Sequence, residues 1–157
     1  MTKAILLSPI GPILLDGDAR QLDSVTILPG EAPDGIGTPM AGSLLEEAGF
    51  QLTAYFAGRL DDFDLPLAPA ATPRGQALRA AIVAIPIGET LSYGALARTA
   101  GSAPRAIGQA CARNPFPIII PCHRVVGSGG AIGHYSGGRG IITKTWLLDH
   151  ERRGGLL

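Results

Sequence analysis

The sequence predicts an α/β chain of the α+β kind, in which a small domain with a short antiparallel sheet and a helix precedes a mostly helical domain. Three observations lead there: alternating apolar segments confined to the stretch before Pro29, apolar residues at helical spacing from Ser43 onward, and a reversal of charge near residue 73. The charge reversal coincides with Leu65-Pro-Leu-Ala-Pro-Ala-Ala-Thr-Pro73, a run with the Pro and Ala content of a linker, which sets the expected domains at 1–71 and 72–157.

Taken in order, the segments Lys3 to Ser8 and Pro12 to Leu15 flank Pro9-Ile10-Gly11 as the arms of a hairpin, and Val25 and Ile27 alternate in a third strand. A Pro- and Gly-rich loop from Pro29 to Pro39 leads into a helix carrying Leu44, Leu45, Ala48, Leu52, Tyr55 and Phe56. Ser43 and Glu46 form a capping box for it, and Gly58 a stop. Beyond the linker, Thr72 and Pro73 open a helix through Leu78, Ile82 and Ile85, which Pro86 and Gly88 end. Ser92 caps a short helix through Ala100, Gly101 makes a turn, and Ser102 with Pro104 opens a second helix to about Asn114. Helix, Gly turn, helix is the helix-turn-helix outline, although an ordinary helical hairpin reads the same way. A final helix, Thr143 to Arg153, packs Trp146 and Leu147 and ends at Gly154.

At 157 residues, 46% hydrophobic and 17% charged, the chain has the make-up of a soluble globular protein with one good core or two small ones. Its longest apolar runs, such as Ala80 to Ile85 and Ile118 to Ile120, fall far short of the roughly 20 residues a membrane helix needs. No membrane partner is expected, and with no secretory leader at the start the expected location is cytoplasmic. Two cysteines do not make a disulfide framework, and three histidines cannot complete a four-ligand zinc site without carboxylates, so no structural metal is expected. Residues 1–73 carry three bases against ten acids, a net charge of −7, and residues 74–157 ten bases against three acids, a net of +7. Clustered bases raise affinity for nucleic acid by releasing counterions, but two solvated faces of opposite sign would look the same.

The residues able to do chemistry are Cys122 and His123, between an apolar run ended by Pro121 and a Gly-rich segment from Gly127 to Gly140. A free thiol with a pKa near 8.5 is about 3% ionised at neutral pH, so a nucleophilic cysteine needs a base or a cation beside it. His123 and Arg124 are the nearest suppliers. Adjacent strand residues point opposite ways, so the pair cooperates only if the chain turns, and Pro121 favours a turn. Taken alone, Cys122 reads as a small buried side chain, and Cys111 more so.

Together the residues resemble the O6-alkylguanine-DNA alkyltransferases. The resemblance runs through Ile85-Pro86, Gly88-Glu89, Ser92-Tyr93, Pro104-Arg105-Ala106-Ile107-Gly108, Asn114-Pro115, Ile120-Pro-Cys-His-Arg-Val-Val-Gly127, Tyr135-Ser136-Gly137-Gly138, Lys144, Trp146-Leu-Leu148 and Glu151. It continues more loosely through Gly11-Pro12, Gln51-Leu52, Tyr55 to Gly58 and Phe63 to Leu67. It implies a ribonuclease H-like first domain and a winged helix-turn-helix in the second. The implied activity is direct-reversal repair: one irreversible transfer of an alkyl group from O6-alkylguanine, and also O4-alkylthymine, to Cys122, with no cofactor and no obligate protein partner. The substrate is double-stranded DNA bound through the minor groove, with the damaged nucleotide flipped out, because an atom inside the stack cannot be reached.

The implied roles follow residue by residue. Cys122 is the acceptor, His123 activates it through a water and Glu151 orients His123. Asn114 joins the recognition helix to the active-site turn, and Tyr93 donates to the guanine ring. Val125, Tyr135 and Ser136 line the pocket. Arg105 fills the gap left by the flipped base, and Ala106, Gly108, Ser92 and Arg124 lie against DNA. The chain departs from the family pattern at Arg74-Gly75, where an aromatic and a Gln are usual, at Ile87 and at His134. The loop from Gly137 to Thr143 is about two residues longer than usual.

Three other readings compete. A non-catalytic lesion sensor of the same fold would replace the cysteine, commonly by tryptophan. A cysteine hydrolase would use Cys122 and His123 with turnover, and a transcription regulator would use the helix-turn-helix alone.

Overall fold

The computed structural model describes residues 2–155. The chain forms two compact units: residues up to Ala68 together with Gly137–Arg139, and Pro69–Ser136 together with the chain from Gly140 onward. The main chain therefore leaves the second unit at Ser136 and re-enters it at Gly140.

The first unit is built on three antiparallel strands, β1 (Thr2–Leu6), β2 (Ile13–Gly17) and β3 (Leu22–Ile27), in the order β1-β2-β3. The expected hairpin turns at Gly11, whose φ of +105° is open only to glycine and whose N–H bonds Ser8 O at 3.1 Å. Alternation fixes the register: Ile13, Leu15, Leu22, Val25 and Ile27 all face the core, each buried side chain contributing about 1.5–3 kcal/mol. The segment after the first helix joins the far edge, where Leu22 N donates to Pro66 O and Ala68 N to Leu22 O, both at 2.8 Å. The excursion of residues 137–139 is held in this unit by Gly138 N donating to Ile27 O at 3.1 Å.

The helix α1 (Leu44–Phe56) lays Leu45, Ala48, Gly49, Leu52 and Tyr55 against β1 and β2. Ser43 Oγ accepts from Glu46 N at 3.2 Å, but Glu46 Oε1 reaches Gly42 N at 2.9 Å, so the expected capping box is closed one residue early. Gly58 in the left-handed region completes the stop expected of it, with Arg59 N bonding Ala54 O.

The second unit is mostly helical. Its elements are α2 (Pro73–Val83), β4 (Leu91–Ser92), α3 (Tyr93–Ala100), α4 (Pro104–Ala112), a 3-10 turn at Cys122–Arg124, β5 (Val125–Val126) and α5 (Ile141–Gly155). Thr72 Oγ1 caps α2 by accepting from Gly75 N, and Ser92 Oγ caps α3 by accepting from Ala95 N, both at 3.0 Å. Gly101 at φ +64° turns the chain between α3 and α4, which pack on each other. The two short strands pair in parallel, Leu91 with Val125 and Ser92 with Val126. This pairing ties the start of α3 to the residues after Cys122. Leu78, Ile82, Leu96, Ile107, Phe116, Ile118 and Leu147 form the core, and the Arg79 guanidinium lies over the Phe116 ring at 5.4 Å.

Three expectations need correction. Ser102 does not cap α4: Pro104 occupies the first helical position, which makes Ala103 the cap residue without a side-chain bond. Ser102 instead accepts from Arg74 Nη2 at 3.2 Å, and α4 ends at Ala112 rather than near Asn114, which is needed elsewhere. The last helix starts at Ile141, where Lys144 N already bonds Gly140 O, and leaves Ile141 and Ile142 exposed. Trp146 is half-buried and stacked on His150 at 4.9 Å, whereas Leu147 is fully buried.

Because Ile107 is completely buried on α4, Ile107→Ala should lower stability by about 2–5 kcal/mol, read from urea unfolding followed by circular dichroism.

Candidate active site

Phe116 to Ile120 is a buried apolar segment that must double back to present Cys122. Asn114 makes that possible: its Nδ2 donates to Ile120 O at 2.8 Å and its Oδ1 accepts from Phe116 N at 2.9 Å, so one side chain spans the loop. Ile118 sits inside it at φ +75°, a conformation that costs a β-branched residue about 1–3 kcal/mol and persists only when surroundings impose it. The third contact of Asn114 is with the sulfur itself, Nδ2 to Cys122 Sγ at 3.2 Å.

The expected turn at Pro121 is present. The 3-10 turn lets Cys122 and His123 share one interior site rather than opposite faces, with Cys122 4% exposed and His123 wholly buried. His123 Nε2 meets Glu151 Oε2 at 2.6 Å, which places the ring proton on that nitrogen. Nδ1 is left buried with no hydrogen-bond partner. Burial holds the imidazole below its usual range, opposed by the hydrogen bond and charge of Glu151, so the ring is neutral and Nδ1 carries a free lone pair. Burial alone would raise the Glu151 carboxyl. The hydrogen bond and charge of His123, then those of Arg124, outweigh it and hold the group at about 2.

Arg124, expected against DNA, is instead 4% exposed. Its Nε donates to Glu151 Oε1 at 2.8 Å, Nη2 to Oε2 at 3.2 Å and Nη1 to Ile85 O at 2.7 Å. A buried guanidinium needs a carboxylate, and the nearest is the one that also holds His123. Ser92, also expected at the DNA surface, is half-buried with its hydroxyl occupied in capping α3.

Two residues were missed. Lys144 is completely buried, its Nζ donating to Val125 O at 2.8 Å and His134 O at 3.2 Å. The signal was available: Lys144, Leu147, Leu148 and Glu151 fall on one helical stripe, so two charged residues stand at core positions. Cys111, read as a core thiol, is half-buried in the last turn of α4, and its side chain hydrogen-bonds to the Cys122 sulfur. That bond is the main influence on Cys122, ahead of burial, which opposes it, and of Asn114 and Lys144, which assist; together they lower the thiol to about 7. The Cys111 thiol is raised by the same bond. With a pKa at ambient pH, roughly half of Cys122 is thiolate, near the optimum between abundance and nucleophilicity.

The remaining predicted residues divide between interior and surface. Val125 is fully buried and Tyr135 is 5% exposed, its hydroxyl without a partner and held well above its usual range by burial. Tyr93 is half-buried, and burial, then the charges of Cys111 and Cys122, raises it. Its ring edge lies 3.7 Å from where a Cβ on Gly133 would sit, so any side chain there would crowd it. Ser136 is exposed. So is Arg105, in the first turn of α4, while Ala106 and Gly108 on the same helix are half-buried, and a side chain at Gly108 would meet nothing. Among the described residues, no group of three or more His, Cys, Asp or Glu side chains could hold a metal.

Glu151→Ala should cost about 3–5 kcal/mol, because Arg124 is left charged and unpaired, and the cost of adding Arg124→Ala should be far from additive in a double-mutant cycle. Both His123 and Glu151 are held below their unfolded values, so the stability they contribute is complete above the ordinary histidine pKa near 6.5 and is lost as the pH falls toward about 2. Urea midpoints measured across that range should fall for the native chain and fall less for Glu151→Gln.

Residues 74–153 match the family model described as the DNA binding domain of 6-O-methylguanine DNA methyltransferase, and residues 1–69 match the ribonuclease-like domain of the same family. A methylated-DNA--protein-cysteine methyltransferase of Methanosarcina acetivorans is 44% identical over 157 residues, covering 96% of this chain and 98% of the relative. One from Mus musculus is 39% identical over 172 residues, with 96% and 81% covered. The crystal structure of Mycobacterium tuberculosis OGT in complex with DNA superposes with a TM-score of 0.84 at 38% identity, covering 98% of this chain and 94% of that one. The chain is a member of the 6-O-methylguanine DNA methyltransferase family.

Proposed function

We propose that this chain repairs alkylated double-stranded DNA by moving the alkyl group from O6 of guanine to Cys122, once per molecule. The observation that carries the reading is the Cys122 thiol lowered to about 7, held by Asn114 in the turn that also seats His123 on Glu151. A methylated-DNA--protein-cysteine methyltransferase needs a nucleophilic sulfur of this kind. In the step, the Cys122 sulfur forms a bond to the alkyl carbon as the bond from that carbon to O6 breaks. The thiol proton goes to Nδ1 of His123, directly or through water, and Glu151 orients the ring and stabilises it when charged. Guanine leaves as a neutral base by taking a proton from Tyr93, so the net proton movement is from sulfur to base.

Val125, Tyr135 and Ser136 line the base pocket in this reading. The damaged nucleotide reaches it by flipping, and exposed Arg105 fills the gap while Gly108 and Ala106 let α4 approach the minor groove. Arg124 and Ser92 act as internal anchors. A thiol that must stay reduced suits the cytoplasm.

The product is a thioether, which does not exchange as a disulfide does, so methyl transfer from excess methylated duplex should plateau at one per chain. Continued turnover would instead identify a hydrolase-like enzyme, and full DNA function in Cys122→Ser a binding protein. The transfer rate should rise with pH through about 7 and then level. Arg105→Ala should slow repair of duplex more than reaction with the free alkylated base, and duplex affinity should fall steeply with added salt, as phosphate contacts dictate.

A further inference from the structure

The mechanism above uses one of two cysteines that touch each other. Cys111 lies in the penultimate position of α4 and Cys122 opens the 3-10 turn, yet their side chains are in hydrogen-bond contact. The loop between them is not slack: Asn114 bonds its backbone at both ends and Cys122 Sγ besides. Both thiols are reduced in this structure, and Cys111 is the more exposed of the two. We propose that Cys111 is the resolving partner of Cys122, and that peroxide closes the two into a reversible disulfide that shields the acceptor sulfur from irreversible oxidation.

The chemistry balances with peroxide as oxidant. The Cys122 thiolate attacks one peroxide oxygen, the O–O bond breaks and hydroxide leaves, giving a sulfenic acid on Cys122. The Cys111 sulfur then attacks the Cys122 sulfur, and water departs carrying the sulfenic oxygen and the Cys111 proton. Two electrons have moved from the thiol pair to peroxide, and a dithiol reductant returns them. Without a resolving thiol, further peroxide carries the sulfenic acid to sulfinic acid, which is not reversed. The contact must shorten to an S–S bond of about 2.0 Å. The adjustment falls on the end of α4, where the helix already gives way: Arg113 has left helical geometry and Asn114 N bonds Cys111 O at a long 3.3 Å. The lowered Cys122 thiol and the raised Cys111 thiol also suit their order of reaction, Cys122 first as thiolate and Cys111 second as the protonated partner.

Bridge formation stands apart from the transfer reading; only its effect on repair rests on that reading. The tryptic map makes the test direct, because cleavage after Arg105, Arg113 and Arg124 puts Cys111 on residues 106–113 and Cys122 on residues 114–124. The full chain is treated with hydrogen peroxide, and its intact mass and unreduced digest are recorded. The expected result is a chain lighter by two hydrogens, the two peptides joined, both thiols recovered with dithiothreitol, and methyl acceptance falling in proportion to the bridged fraction. Cys111→Ser should accumulate sulfinic acid on Cys122 that dithiothreitol does not remove. Sulfinic acid on Cys122 of the native chain with Cys111 unmodified, or bridges between chains only, would overturn the proposal. A bridge that forms in a chain whose reduced form accepts no methyl would leave the proposal standing and sink the transfer reading.

Discussion

Glu151 is a single buried carboxylate on which two other buried groups depend. It takes the Nε2 proton side of His123 and two nitrogens of Arg124, and Arg124 in turn reaches Ile85 O at the end of α2. Buried ion pairs seldom add net stability, because desolvation offsets most of their attraction. What this one supplies is position. It fixes the azimuth of α5 against the 3-10 turn, and the same helix brings Lys144 under the carbonyl of Val125. A helix that carries two charged residues in its buried stripe can dock in one register only, since any slip would strand both.

The second constraint is the loop that leads to the sulfur. A backbone that doubles back through an apolar core must hide its polar groups, and Asn114 satisfies both ends with one amide. The left-handed Ile118 is the local cost, tolerated because its side chain is 1% exposed among other apolar residues. The result is a nucleophile on a rigid corner rather than on a mobile loop, with donors from α4 on one side and a neutral imidazole on the other. Preorganisation of this kind is what lets a weakly ionised thiol act at neutral pH.

Features set by local chemistry were legible in the sequence. The hairpin at Gly11, the caps at Ser43, Thr72 and Ser92, the turn at Gly101 and the bend at Pro121 each follow from what one residue permits its own backbone. The cysteine-histidine site was legible for the same reason. Arg124 was misread because an arginine before two valines looks alike whether exposed or buried, and its fate is decided by a carboxylate 27 residues away. Cys111 was misread because nothing near it in sequence reveals that residues 113–121 fold back to bring Cys122 alongside. The early start of α5 was hidden by Ile141 and Ile142, whose apolar side chains suggested no exposed first turn.

The excursion of residues 137–139 has a bearing on heredity. Gly138 is bonded to the edge of β3 while the chain on either side of it belongs to the helical unit, so the two units are stitched by three covalent crossings rather than one. A gene cut at the linker would hand the sheet unit an unfilled edge position and the helical unit a strap with nothing to grip. Recombination cannot pass either unit on as a free-standing cassette, and the pair is inherited together.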